Sequence, residues 1–126
     1  MEEKSSKKNK IILVGGHDQA CNILNHLIDI DIADVSLVLA RKDDTGEDKI
    51  FPSLIKIAKR NDIPVIQPMN INSKKILDLV KGLNADLVLS IQNNMLFSKN
   101  WVDLFNSRLG IVNVHYSPLP RYAGFW

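Results

Sequence analysis

The sequence predicts an α/β fold, a Rossmann-like parallel sheet of about five strands with helices on both faces. Three observations carry this reading. Short and nearly continuous apolar runs, Ile11–Val14 (IILV), Val35–Ala40 (VSLVLA) and Asp86–Ile91 (DLVLSI), have the pattern of strands buried on both faces. Between them, apolar residues recur at helical spacing. The two kinds of segment alternate along the chain, with no internal repeat and no low-complexity block after the charged start.

Residues 1–9 are rich in Lys and Glu and read as a disordered tail, and residues 10–126 as the folded part. The first strand, Ile11–Val14, ends at Gly15-Gly16. Asp18 is expected to cap a helix with Ala20, Ile23, Leu24, Leu27 and Ile28 on its apolar side. The second strand, Val35–Ala40, leads into a polar loop from Arg41 to Lys49. Pro52 suits the first turn of a helix that buries Leu54, Ile55, Ile57 and Ala58. Ile63–Ile66 (IPVI) is a brief third strand, and Pro64 places it at a strand start or a sheet edge. Asn72 or Ser73 opens a helix carrying Ile76, Leu77, Leu79, Val80 and Leu83. Asp86–Ile91 is the fourth strand, Trp101–Phe105 a short helix, and Gly110–Val114 (GIVNV) the fifth strand.

The 126 residues are 45% hydrophobic, 24% charged and 6% aromatic, an ordinary balance for one globular domain. A chain of this size buries roughly two thirds of its unfolded surface, enough for a core without staples. The net charge of +2 resides in the first ten residues, so residues 11–126 sum to zero. The domain's net charge therefore carries no general nucleic-acid surface, although a local patch is compatible with it. One cysteine, Cys21, excludes an internal disulfide and suits a reducing, cytoplasmic setting. No apolar run reaches the roughly 18 residues of a membrane span, and the charged start lacks the apolar stretch of a signal peptide.

Parallel sheets gather their chemistry at the carboxyl ends of the strands. Those ends here carry Gly15-Gly16-His17, Ala40-Arg41, Ser90 to Asn94 and His115 to Ser117. Gly15-Gly16 fits either an anion cradle at a helix start or a plain structural turn. The run GGHDQA lacks the dinucleotide fingerprint, which disfavours an NAD site, and His17 is the better polar contact there. Asp43, Asp44, Glu47 and Asp48 read as a solvated acidic loop without the spacing of a calcium site. Three scattered histidines and one cysteine form no legible metal site. Gln92-Asn93-Asn94-Met95-Leu96-Phe97 follows the fourth strand directly. Its amides suit the edge of a planar heterocycle and its apolar side chains the faces, while a capping turn plus core residues is the plainer reading.

The sharpest feature is Asn113-Val114-His115-Tyr116-Ser117-Pro118-Leu119-Pro120. Alternation along a strand puts Asn113 and His115 on one side. An imidazole can accept a proton from an attacking amine, and an amide donor can stabilise charge on a carbonyl oxygen. The pair therefore suits acyl transfer.

The run GIVNVHYSPLPRYAG resembles the signature of the folate-dependent formyltransferases, N-x-H-x-S-x-L-P-x-Y-x-G. Asn113, His115, Ser117, Leu119, Pro120, Tyr122 and Gly124 match it in order and spacing. Ile11–Gly16, Asp62-Ile63-Pro64-Val65 and Ala85-Asp86-Leu87-Val88 resemble other family segments more loosely, so the likeness covers nearly all of residues 10–126. The resemblance implies transfer of a formyl group from 10-formyltetrahydrofolate to a primary amine, on methionyl-tRNA or a nucleotide-linked amino sugar. It implies that His115 helps deprotonate the amine and that Asn113 holds the formyl oxygen. Gln92, Asn93, Asn94, Met95, Leu96 and Phe97 would line the folate pocket, with Gly15, Gly16, Tyr116 and Ser117 on the acceptor side.

Two departures qualify the likeness. Ala123 stands where the family commonly carries Arg, and the chain stops at Trp126, ahead of the family's catalytic Asp. The expectation is thus the N-terminal part of a truncated formyltransferase catalytic domain, with little or no transfer activity by itself. A non-catalytic folate- or ligand-binding module, or a gene remnant, is the alternative. The open sheet edge makes self-association a further expectation.

Overall fold

The computed structural model describes residues 7–114. Its first strand, β1 (Asn9–Gly15), is the middle of a five-stranded parallel sheet. Ile12, Leu13 and Val14 are fully buried there because both faces of the strand are covered. On one side β1 pairs with β2 (Ala33–Ala40), which in turn pairs with β3 (Val65–Ile66). On the other it pairs with β4 (Leu87–Ile91), and β4 pairs with β5 (Gly110–Val114). The order is therefore β3-β2-β1-β4-β5.

Side-chain alternation splits the core into two layers. Leu13, Val38 and Ile91 meet Ala20, Cys21 and Leu24 of α1 (His17–Ile30) and Leu54, Ile57 and Ala58 of α2 (Leu54–Arg60). Ile12, Val14, Leu37, Leu39 and Val88 face the opposite way. They meet Ile76 and Val80 of α3 (Lys74–Leu83) and Trp101 and Phe105 of α4 (Lys99–Phe105). Trp101 satisfies its indole N–H within this layer by donating to the Ile71 carbonyl at 2.9 Å. The expected parallel sheet with a helical layer on each face is thus observed.

Element ends differ from the sequence reading in instructive ways. Asp18 does not cap α1. The cap position is Gly16, in extended backbone, and Asp18 lies in the first turn, where its charge favours the helix dipole. Pro52 precedes α2 rather than opening it; Ser53 is the cap, its hydroxyl accepting from Lys56 N at 3.0 Å. The third strand shrinks to Val65–Ile66 because Ile63 N is already bonded to Ala58 O at 2.9 Å. Pro64, which has no N–H to offer, lies just before this edge strand as expected. The short helix α4 begins at Lys99, two residues ahead of Trp101.

Candidate functional site

The chain runs outward from β1 to β2 and β3, then returns through the sheet's centre to β4 and β5. The strand order reverses between β1 and β4, and ligands of open α/β sheets bind at the carboxyl ends beside such a point. Gly15 and Ile91, the last residues of β1 and β4, are register partners there. Gly15 adopts φ +146°, and a Cβ on it would stand 1.7 Å from the Ile91 carbonyl oxygen. Only glycine permits that approach. Gly16 N then donates to the same oxygen at 3.2 Å.

The start of α1 is occupied by the chain itself. Gln19 N donates to the Gln92 side-chain oxygen at 2.8 Å, and His17 Nε2 lies 2.9 Å from Asp43 Oδ2. The His17 ring also stacks on Phe51, with centroids 3.7 Å apart. Two donors that an anion cradle would use, the amides of Gly16 and Gln19, are thus engaged internally. The glycine pair serves the close crossing of β1 and β4.

The loop 92–97 leaves β4 through Gln92 at φ +47°. Asn93 folds back on the chain: its Oδ1 accepts from Met95 N at 3.0 Å, and its Nδ2 donates to Met95 O at 2.9 Å and Ser90 Oγ at 3.1 Å. Met95 and Phe97 pack against the α3–α4 core, and Phe97 meets Trp101 edge-on at 5.0 Å. Asn94 and Leu96 are exposed, Leu96 to 86%. Asn72 clips the far end of the loop, donating to Leu96 O at 2.8 Å and accepting from Ser98 N at 2.9 Å.

Asn113 is exposed on β5 and is the register partner of Ser90. It lies on the sheet face of Ile111, the α3–α4 side, where Met95 and Phe97 also pack. The register therefore puts Asn113 one strand, about 4.8 Å, from the residue that anchors Asn93. His115, Tyr116 and Ser117 lie outside the described residues. Among the described residues, no group of three or more metal-ligating side chains occurs. Asp103, exposed on α4, pairs with Lys99 at 2.8 Å.

Two residues named in the sequence analysis, Arg41 at a strand end and Asp44 in the acidic loop, have roles that the sequence did not assign. Arg41 ties three segments together at the switch point: Nη1 donates to Gln92 O at 2.8 Å, while Nε and Nη2 each reach the Asp43 carboxylate at 3.1 Å. The Arg41 guanidinium, and then His17, hold the Asp43 carboxyl below the ordinary carboxylate range. Asp44 is the second. Its carboxylate accepts from Leu54 N, Ile55 N, Gly46 N and Ser53 Oγ, all within 3.1 Å, and so seats the start of α2. The acidic loop is solvent-exposed at Asp43, Glu47 and Asp48, as expected, and Asp43 and Asp44 are in addition tied into a bonded scaffold. A cavity of about 560 Å³ lined by Leu27, Ala33 and Ile63 opens at the other, amino-terminal end of the sheet.

The chain is 35% identical over 119 residues to the methionyl-tRNA formyltransferase of Finegoldia magna, across 93% of its own length. It is 31% identical over 117 residues to that of Thermotoga maritima, across 91% of its length. Over more than nine tenths of its length the chain is similar to methionyl-tRNA formyltransferases. It spans 38% and 37% of those two relatives and matches their N-terminal part. No protein-family model matches it. Among solved structures, a sugar 3N-formyl transferase in the presence of dTDP and 5-N-formyl-THF aligns with 75% of this chain. The TM-score is 0.50 at 19% identity, with 32% of that chain covered, a likeness of fold. Among the described residues, no helix is long and apolar enough to cross a membrane.

Proposed function

We propose that this chain takes part in transferring a formyl group from 10-formyltetrahydrofolate to a primary amine, carried by methionyl-tRNA or a nucleotide-linked amino sugar. The observation that carries the reading is the Ser90–Asn113 register, which sets an exposed amide beside the loop 92–97 at the switch point. In this reading the loop is the donor's wall. Its Gln92 and Asn93 amides shape the backbone, and Asn94, Leu96 and the apolar Met95 and Phe97 meet the ring system.

The amine nitrogen attacks the formyl carbon, and its proton passes to the His115 imidazole. Charge collects on the formyl oxygen, where the Asn113 amide N–H groups donate to it. Collapse of the tetrahedral adduct breaks the bond to N10 of the folate, which takes up a proton as it leaves. In this reading Tyr116 and Ser117 bind the acceptor, and Gly15 and Gly16 contribute to its site through the close crossing of β1 and β4. Cys21, buried and alone, suits a reducing cytoplasmic setting, and the outer edge of β5 is where a second copy would pair.

In a formyl-transfer assay on the protein carrying this chain, Asn113→Ala should lower kcat about 10²–10³-fold, the size of a lost oxyanion donor. His115→Ala should lower it about 10²–10⁴-fold. Full turnover by both variants would refute these roles.

A further inference from the structure

We propose that Arg41 is a positioning residue for the donor-facing loop 92–97, a role that rests on the reading above. Its backbone is fixed to the end of β1, with Arg41 N donating to Gly15 O at 3.0 Å. Its stem crosses Gly16 so closely that a Cβ there would stand 2.8 Å from Arg41 Cδ and 3.1 Å from Cγ. The side chain is 17% exposed, so its charge is largely withdrawn from water and needs its partners.

Those partners lie on two different segments. One edge of the guanidinium forks onto Asp43, and Nη1 reaches over β1 to the Gln92 carbonyl. Gln92 stands at φ +47°, a conformation that non-glycine residues hold only when their surroundings impose it. The charge-assisted bond to its carbonyl and the bond from Gln19 N to its side chain are two such constraints. Because Gln92 is the first residue of the loop, its carbonyl direction sets the path of Asn93 to Phe97. A lysine has one compact ammonium and no planar fork, so it cannot serve Asp43 and Gln92 in the same geometry. The apolar packing of Trp101 and Phe105 lies on the far layer and does not depend on this bond.

The test compares the full chain with Arg41→Lys and Arg41→Ala in three measurements. These are thermal stability, 5-formyltetrahydrofolate affinity by calorimetry, and hydrogen exchange at the Gln19 and Met95 amides. Both variants should bind the folate about tenfold more weakly, as expected for one lost charge-assisted bond. Both amides should exchange faster, while Arg41→Lys keeps a near-native Tm. Affinity unchanged in both variants overturns the proposal, and so does unchanged exchange. Should the wild-type chain bind no folate, the donor reading fails, and the exchange measurement alone decides whether Arg41 holds the loop.

Discussion

At Gly15 two backbones come closer than any side chain permits, and the site depends on that crossing. With a Cβ 1.7 Å from the Ile91 oxygen and φ at +146°, Gly15→Ala must part β1 from β4 or distort the turn. We expect a loss of about 2–4 kcal/mol in urea unfolding, the range of imposed backbone strain plus overpacking. A change below about 0.5 kcal/mol, the size of an ordinary surface substitution, would show that the turn has room. The sequence flagged this pair as either a cradle or a turn, and the contact to Ile91 supplies the reason for the turn. The run of three amides at Gln92–Asn94 was legible as unusual. Which amide faces outward was not, because that follows from the φ of Gln92 and the fold-back of Asn93, neither of which composition encodes. Arg41 stood out only as a strand-end residue, because the carbonyl it reaches lies 51 residues away at Gln92 and its stem crosses Gly16.

Strands were the most readable elements, because burial on both faces leaves continuous apolar runs. Helix starts were less so. Asp18, Pro52 and Trp101 all mark the right neighbourhood, yet the caps are Gly16, Ser53 and Ser98. For α2 the decisive group is Asp44, ten residues before Leu54, and no local signal reaches that far. The loop between β2 and α2 also titrates. Arg41, then His17, depress the Asp43 pKa, so this carboxylate stabilises the folded chain above its unfolded value and loses that contribution as pH falls through the depressed one. Asp43→Asn should therefore lower the Tm at pH 7, and the gap to wild type should shrink as the pH is taken through the acid range. A constant gap between neutral and acid pH would mean that the ion pair does not act through the charge of Asp43. In α1, burial, and then the charges of Asp44, Asp48 and Asp18, push the Cys21 thiol up to about 12, which makes it an inert packing group.

Over the whole molecule, the doubly wound order explains why residues far apart in sequence share one place. β1 and β4 are neighbours in space and strangers in sequence, so Gly15, Gln92 and Asn113 come to one end of the sheet only once it is ordered β3-β2-β1-β4-β5. The alternation of strands and helices made that class of sheet legible, and the signature around Asn113 pointed to the candidate site. On the proposed function, the carboxyl edge, and not the cavity at the amino-terminal edge, takes a reduced folate. Backbone amide shifts of the isotopically labelled chain, followed during titration with 5-formyltetrahydrofolate, test it most directly. Shifts concentrated at residues 92–97, Asn113 and 115–117, with Leu27, Ala33 and Ile63 unmoved, are the predicted result. Shifts at Leu27, Ala33 and Ile63 with residues 92–97 unmoved, or none anywhere at saturating ligand, would contradict it.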